Sequence, residues 1–307
     1  MDRQQPASSE PRILQPTSKR LIDAPPEFAF TNSECDEAGT LYLHTGTQGS
    51  YRDPILRLST TGNFKQYKVT GEDVNVGQQG AMSVSPDGTL WLLLSGAESA
   101  VLLRFNSDGE VTSRSKVDQF ARFVVEEFVA FDNDVFFIAG FPRPTEAEPK
   151  MSRYTAMVNS SGQQVSAPKL DLPKFDMQSK KIPEGGAAAG SDGNLYLLRP
   201  EEVVVVSQAG DVLRHLRFRK PNPDFFTVNI NVSGGLAAIW FIKPVEQHRI
   251  TTELLVVDAA SGEEAGRYSV GPELEHTRPL CFSRQDGFTF LAGIQDGKMK
   301  LITAALR

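Results

Sequence analysis

The sequence predicts an all-β fold built from a repeated four-stranded unit. A turn of Asp/Gly type followed by an alternating apolar run occurs six times, and a second turn of similar chemistry follows each of the first five. The first turns are 42 to 59 residues apart and are centred on Gly39, Gly88, Asp134, Gly193, Gly235 and Gly287. A period of about 40 to 50 residues with four strands per unit is typical of a β-propeller blade. We therefore predict a six-bladed β-propeller, since no block of about 45 residues is left for a seventh blade.

The turns themselves indicate antiparallel hairpins. Glycine, Asn and Asp adopt the positive φ that a tight turn between two strands requires. The second turns carry the same residue types and lie around Gly62, Gly109, Gly162, Gly210 and Gly262. Helix competes with strand in residues 120–131, where the apolar spacing fits both. These residues lie directly before the turn of the third unit, where the other units have their innermost strand, so we predict a strand here.

The last unit is incomplete, because the chain after Gly287 supplies only three strands. Residues 12–22 precede the turn at Gly39 by the distance that separates the outermost strand from the next turn in the other units. We expect this N-terminal strand to complete the sixth blade and so close the ring, which leaves no long exposed sheet edge. Residues 1–11 are then a flexible tether, and residues 12–307 are a single propeller domain.

Composition excludes several classes of function. The formal net charge is −6 and the charges are scattered, which argues against nucleic-acid binding. The longest uncharged apolar stretch, residues 234–242, is far shorter than the roughly 20 residues of a membrane-spanning helix.

The polar start lacks the apolar core of a secretory signal, so the protein is either cytosolic or recorded without its leader. We expect a monomer in the periplasm or outside the cell, without a cofactor or a metal.

Two cysteines, Cys35 and Cys281, fall in or near the innermost strands of what should be neighbouring blades. In an oxidising compartment a disulfide between them would restrain a very long loop. Counted back from their turn glycines, however, the two positions are offset by two residues. This offset favours two buried thiols that behave as small hydrophobic side chains.

Two units, GAMSVSPDGTLWLLLSG from Gly80 and GGAAAGSDGNLYLLRP from Gly185, resemble the repeat of the NHL and virginiamycin B lyase propellers. In that resemblance the catalytic acid and base are a Glu and a His in the loop that enters an innermost strand. The corresponding segment here contains Glu275 and His276, with Arg278 close by. A carboxylate beside an imidazole orients the ring and raises its basicity, which suits a general acid/base pair. The alternative for this segment is a solvated loop histidine.

Propellers host enzymes, sensors and interaction platforms alike, so the fold does not decide the function. The leading hypothesis is a non-catalytic binding or scaffold propeller that holds a protein or small ligand at its axial face and long loops. The two long connections, residues 141–151 and 171–185, are where a rigid ring would carry its function. The rival hypothesis is a lyase or hydrolase of cyclic esters at the axial mouth. Candidate ligand-binding residues are Arg278, Lys180, Lys181, Glu184, Asp224 and Gln79.

Overall fold

The structure is a computed structural model. It describes residues 10–23, 30–45, 54–60, 62–70, 79–143, 153–168, 170, 184–245, 250–274 and 277–306. Within these residues 25 strands form six sheets. Contacts between the innermost strands of successive sheets run around a complete ring, from blade 1 through blade 6 and back to blade 1. The predicted six-bladed β-propeller is therefore confirmed.

The strands follow one another in chain order from the centre of each blade outwards. Two strands precede blade 1, namely β1 (Arg12–Leu14) and β2 (Pro16–Asp23). Blades 1 and 2 contain β3 (Phe30–Cys35), β4 (Leu41–Thr45), β5 (Ile55–Leu58), β6 (Phe64–Tyr67), β7 (Gln79–Val84), β8 (Leu90–Ser95), β9 (Ala100–Phe105) and β10 (Val111–Lys116). Blades 3 and 4 contain β11 (Phe123–Ala130), β12 (Val135–Pro142), β13 (Tyr154–Asn159), β14 (Gln164–Ser166), β15 (Gly186–Ala189), β16 (Leu195–Arg199), β17 (Glu202–Val206) and β18 (Val212–Arg217). Blades 5 and 6 contain β19 (Phe226–Ser233), β20 (Leu236–Pro244), β21 (Ile250–Asp258), β22 (Glu264–Val270), β23 (Arg278–Ser283), β24 (Gly287–Gln295) and β25 (Lys298–Ala304).

One 3₁₀ turn, Asp118–Phe120, lies between blades 2 and 3. The segment that could have been helix on its apolar spacing is mostly β11, as its place in the repeat predicts. Among the described residues no helix has the length and apolar character needed to cross a membrane.

The middle strands are apolar on both faces because each blade is covered by two neighbours. All six residues of β8 are buried. Leu90, Leu92 and Leu94 pack with residues of blade 1, whereas Trp91 and Leu93 pack with residues of blade 3. Successive side chains of a strand point to opposite faces, so the two stripes of one strand belong to two different interblade cores. This arrangement explains why the middle strands appear as continuous hydrophobic runs.

The N-terminal segment closes the ring. β2 pairs antiparallel with β25, with Leu21 opposite Lys300, and so supplies the outermost strand of blade 6 as predicted. β1 does something that the sequence analysis did not predict, because it pairs parallel with β22 as a fifth strand of blade 5. Leu14 is buried there, and the Arg12 guanidinium lies over the Tyr268 ring, 4.9 Å from its centroid. Residues 1–9 of the predicted tether lie outside the described residues.

The preference for two buried thiols is wrong, because Cys35 and Cys281 form a disulfide with Cα atoms 5.8 Å apart. The two cysteines do lie in innermost strands of neighbouring blades, β3 and β23. Cys35 is opposite Leu41 at the end of its strand, whereas Cys281 is opposite Thr289 beside a bulge. Register within a blade does not fix the register between two blades, so the offset between the cysteines does not separate them.

We expect loss of this disulfide to destabilise the ring. The Cys35→Ser/Cys281→Ser double variant should lower the free energy of unfolding by about 2–5 kcal/mol, because the bridge joins residues 246 positions apart. Denaturant unfolding measures this change, and the wild type in reductant should show the same loss. A double variant as stable as the oxidised wild type would contradict the prediction.

Graded N-terminal truncations should separate the contributions of the two closing strands. Removal of residues 1–10 should leave the melting temperature unchanged, since β1 and β2 remain. Removal of residues 1–15 deletes β1, and removal of residues 1–22 deletes most of β2 as well and uncovers the buried Met299 and Leu301. We expect the last truncation to melt about 10 °C or more below the wild type. If the variants without residues 1–10 and without residues 1–22 melt at the same temperature, closure of the ring by β2 is refuted.

Candidate functional site

The innermost strands of all six blades surround a narrow axial channel. Its cavity volume is about 50 Å³, which is room for a few water molecules and well below the roughly 300–1,000 Å³ of ordinary ligand pockets. Alanines of β15 keep one wall small, and polar side chains stand on the other strands. The polar lining residues include Ser33, Glu34, Ser83, Asn229 and Asn231.

Two carboxyl groups in this region have strongly perturbed protonation. Burial raises the pKa of Glu34 to about 8; the negative charge of Glu127 adds to this, while the Val84 amide opposes it. Burial also raises the pKa of Glu127 to about 7. At pH 7 Glu34 is therefore largely a neutral acid that can donate a hydrogen bond, whereas Glu127 is about half protonated. The buried Oδ1 of Asn231 has no hydrogen-bond partner within the described residues, so the channel also offers an acceptor.

A β-bulge in β11 contains two consecutive acidic residues, Glu126 and Glu127. The pairing of β11 with β12 shifts between Val125 and Glu127, so Glu126 is the extra residue. The Glu126 carboxylate forms an ion pair with Arg153, with Nη2 and Oε2 2.8 Å apart. Burial raises the pKa of Glu126, and the guanidinium of Arg153 opposes this rise. The charge of Glu126 in turn raises the pKa of Glu127.

Glu37 closes the channel at the face that carries the hairpin turns. Its carboxylate Oε1 accepts hydrogen bonds from Ser191 Oγ of blade 4 and from the Gly234 amide of blade 5, both at 2.9 Å. Its carbonyl oxygen accepts a further bond of 3.2 Å from Ser233 Oγ. Blade 4 stands opposite blade 1 in a six-bladed ring, so these bonds cross the axis. Glu37 is not among the site residues predicted from the sequence, although its turn is the one first turn with two consecutive acids, Asp36 and Glu37.

The opposite face is where the innermost strands begin, and the four predicted site residues that the structure describes belong to it: Gln79, Glu184, Asp224 and Arg278. β7 begins at Gln79, which pairs with Ser95, and β23 begins at Arg278, which pairs with Leu291. The other four predicted site residues lie in two connecting segments outside the described residues, so their catalytic and ligand-binding roles stay predictions. These residues are Glu275, His276, Lys180 and Lys181.

Glu184 and Asp224 are described, and each one has a basic partner. Glu184 forms an ion pair with Lys220 and accepts a 3.0 Å hydrogen bond from the Thr227 amide. It thereby joins the start of blade 4 to the start of blade 5. Asp224 is exposed and forms an ion pair with Lys243 at 2.9 Å. A ligand-binding role for either carboxylate remains a prediction beside these observed contacts.

The channel holds fewer metal-ligating groups than a metal site needs. Throughout the described ranges, no group of three or more His, Cys, Asp or Glu side chains is placed to bind a metal ion.

Comparison with known proteins supports the fold. No protein-family model matches the sequence, and no curated protein matches it. Among solved structures, a member of the DUF4221 family from Bacteroides vulgatus superposes with a TM-score of 0.64 at 11% identity, covering 96% of this chain and 98% of the other. A gluconolactonase from Xanthomonas campestris gives a TM-score of 0.51 at 13% identity, covering 97% and 96%.

A virginiamycin B lyase from Staphylococcus aureus covers 93% of this chain and 99% of its own, at 14% identity and a TM-score of 0.48. That score is too low to support an argument. The fold is that of the suspected type of propeller, and at these identities the likeness shows the fold alone.

The protonation of Glu34 predicts a pH-dependent stability. A carboxyl whose pKa is raised in the folded state stabilises the fold fully below its ordinary pKa of 4.5, and that contribution is lost as the pH rises through about 8. Glu34→Gln removes the ionisation, so the variant should lose less stability than the wild type between pH 5 and pH 8.5. The difference in this loss should be at least about 1.4 kcal/mol, the equivalent of one pKa unit.

Urea unfolding at several pH values measures this difference. Glu263→Gln, on an exposed turn of blade 5, is the matched control and should follow the wild type. Parallel pH profiles for Glu34→Gln and the wild type would show that Glu34 ionises in the folded protein as freely as in the unfolded chain.

Proposed function

We propose that this chain is a non-catalytic binding propeller that holds a protein or a small ligand at the axial face where the innermost strands begin. The observation that carries the proposal is the shape of the axial channel. Its volume is about 50 Å³, and the Glu37 hydrogen bonds close it at the other face. Such a channel has no space for a substrate inside it, so recognition in this proposal takes place at the open face and its connections.

Strand direction puts both ends of each long connection at this face. The second strand of a blade runs towards it and the third runs away from it, so the connection from Pro142 of β12 to Tyr154 of β13 starts and ends there. The same holds for the connection from Ser166 of β14 to Gly186 of β15. Both connections exceed the usual two to six residues, and long loops on a rigid scaffold commonly carry binding functions.

The described rim of this face is charged and paired. The Glu184–Lys220 and Asp224–Lys243 ion pairs place two acids and two bases around the starts of blades 4 and 5. The rim of a protein interface is usually polar, and an exposed ion pair such as Asp224–Lys243 costs little to rearrange, whereas the side chains of Glu184 and Lys220 are mostly buried. A partner with complementary charges could therefore exchange the Asp224–Lys243 pair for intermolecular pairs. In our proposal Lys180 and Lys181, in the connection from Ser166 to Gly186, add two positive charges to this face.

The proposed location is the periplasm or the extracellular space, where the protein acts as a monomer. The Cys35–Cys281 disulfide supports this location, because disulfides persist in oxidising compartments and are rare in the cytosol.

A second candidate function is a lyase or hydrolase of cyclic esters, with Glu275 and His276 as the acid/base pair at the axial mouth. The raised pKa values of Glu34 and Glu127 favour it, because perturbed carboxyl groups cluster at functional sites. The likeness to a gluconolactonase shows that the two proteins share a fold, and it says nothing about the substrate of this chain.

Site-specific photocrosslinking tests the binding proposal. A photoreactive phenylalanine analogue at position 224 or 181 should give discrete crosslinked species in cells that produce the protein. The same analogue at Ser107, on an exposed turn of the opposite face, is the control and should give none. Crosslinking that is equally strong at Ser107, or absent at both test positions, would contradict recognition by the open face.

An assay on a panel of lactones and cyclic depsipeptides separates the second candidate from the first. The binding proposal expects no turnover by the wild type. Turnover by the wild type would support the enzyme if it falls at least a hundredfold in both Glu275→Gln and His276→Asn while their melting temperatures stay unchanged. This result would contradict the binding proposal.

A further inference from the structure

A second cavity, of about 340 Å³, lies at the seam between blades 6 and 1. It is on the face of the hairpin turns, opposite to the face of the proposed function. The first turns of blades 1 and 6, the N-terminal strand β2 and the disulfide cysteine Cys281 all contribute to its lining. Its volume falls at the lower end of the range for small-molecule pockets.

A row of hydroxyl groups crosses blade 6 in this cavity. Thr289 of β24 is opposite Thr303 of β25, which is opposite Ser18 of β2. Residues directly opposite each other in neighbouring strands share one face of the sheet, so the three side chains form a ladder. All three line the cavity. Farther from the turns the same interface is apolar, with Leu301 packed in the core between blades 6 and 1.

The deepest member of the row, Thr289, is 8% exposed, yet its hydroxyl has no hydrogen-bond partner among the described residues. The side chains of Ser18 and Thr303 are likewise without one in that part of the chain. Only Thr289 of the three is a buried residue, whereas Thr303 is half-buried and Ser18 is exposed, and none of their hydroxyl oxygens belongs to the fully buried polar atoms of the described residues, so a water molecule or a ligand in the cavity can reach them. The hydroxyl ladder is therefore a set of donors and acceptors directed at whatever fills the cavity.

Two charged side chains of opposite sign complete the lining. The amide of Asp286 is bonded to Ser283 Oγ at 3.1 Å, and its carboxylate has no ion pair or hydrogen bond within the described residues. The Arg20 guanidinium donates to the Thr60 carbonyl oxygen and has further N–H groups. Gly39 leaves the space open, because a Cβ there would lie 3.1 Å from Ser283 Oγ and 3.6 Å from Asp286 Oδ2.

We propose that this cavity binds one polyhydroxylated ring, a pyranose sugar or a cyclitol, either free or at the end of a glycan. Vicinal hydroxyls of such a ring can donate to the Asp286 carboxylate and accept from the Arg20 guanidinium. The ring's remaining hydroxyls match the ladder of Thr289, Thr303 and Ser18. An apolar ligand would leave these groups without partners, and an anionic ligand would meet the carboxylate of Asp286.

Ligand-observed NMR titrations with D-glucose, D-galactose, D-mannose and myo-inositol test the proposal on the full chain. At least one of these four probes should bind the wild type. The α- and β-methyl glycosides of the binding sugar then distinguish the sources. Equal binding of a methyl glycoside indicates the end of a glycan, and loss of binding with both glycosides indicates a free sugar.

Three variants assign the binding to this cavity. Asp286→Asn should weaken binding about tenfold or more, because it removes a charged acceptor, and Thr289→Val should weaken it about three- to tenfold. Ser18→Trp fills the cavity from an exposed strand position and should abolish binding even if the buried Thr289→Val variant does not fold. Thr112→Val, an exposed hydroxyl on blade 2, is the matched control and should bind as the wild type does.

No binding of any probe to the wild type would overturn the proposal, and so would undiminished binding to both Asp286→Asn and Ser18→Trp. Crosslinking at position 224 on the opposite face should be unchanged in both variants. Failure of the sugar site and failure of the proposed function therefore give different results.

Discussion

The pairing of β2 with β25 is the interaction on which the rest of the structure depends. In a ring of blades each sheet covers one face of the next, so a gap at one seam uncovers two apolar faces at once. At the seam between blades 6 and 1 these faces include Leu43 and Leu301, which belong to one buried cluster. β2 completes the outer edge of that seam, and the Cys35–Cys281 bridge fixes its inner edge.

Local signals in the sequence predict most of the fold. Turn chemistry and alternating apolar residues repeat in every blade, and the incomplete last unit points to the N-terminal strand as its missing part. Three features were missed because they depend on contacts between distant elements. β1 is only three residues long, and its pairing with β22 is decided by tertiary contacts. The disulfide depends on the stagger between two blades, and the role of Glu37 depends on which blades face each other across the axis.

The candidate site was predictable only in part. The sequence identified Glu184 and Asp224 as polar residues on the approach to blades 4 and 5, and both take part in ion pairs at that face. It did not identify Glu34 and Glu127, although each is an acid within a strand that enters the ring centre. Their pKa values follow from how closely the six innermost strands approach one another. The result is a passage with polar walls, crossed at one end by the Glu37 hydrogen bonds.

The split construction of blade 6 also bears on how freely the polypeptide can be rearranged. Pro16 at the start of β2 is opposite Ala304 at the end of β25, so the two strand ends are adjacent. Once β1 is given up, a short linker between them would turn the chain into a closed circle. Such a circle can be reopened between any two blades without breaking a sheet. The present polypeptide, which is opened within blade 6, is thus compatible in packing with about six circular permutations that are opened between blades.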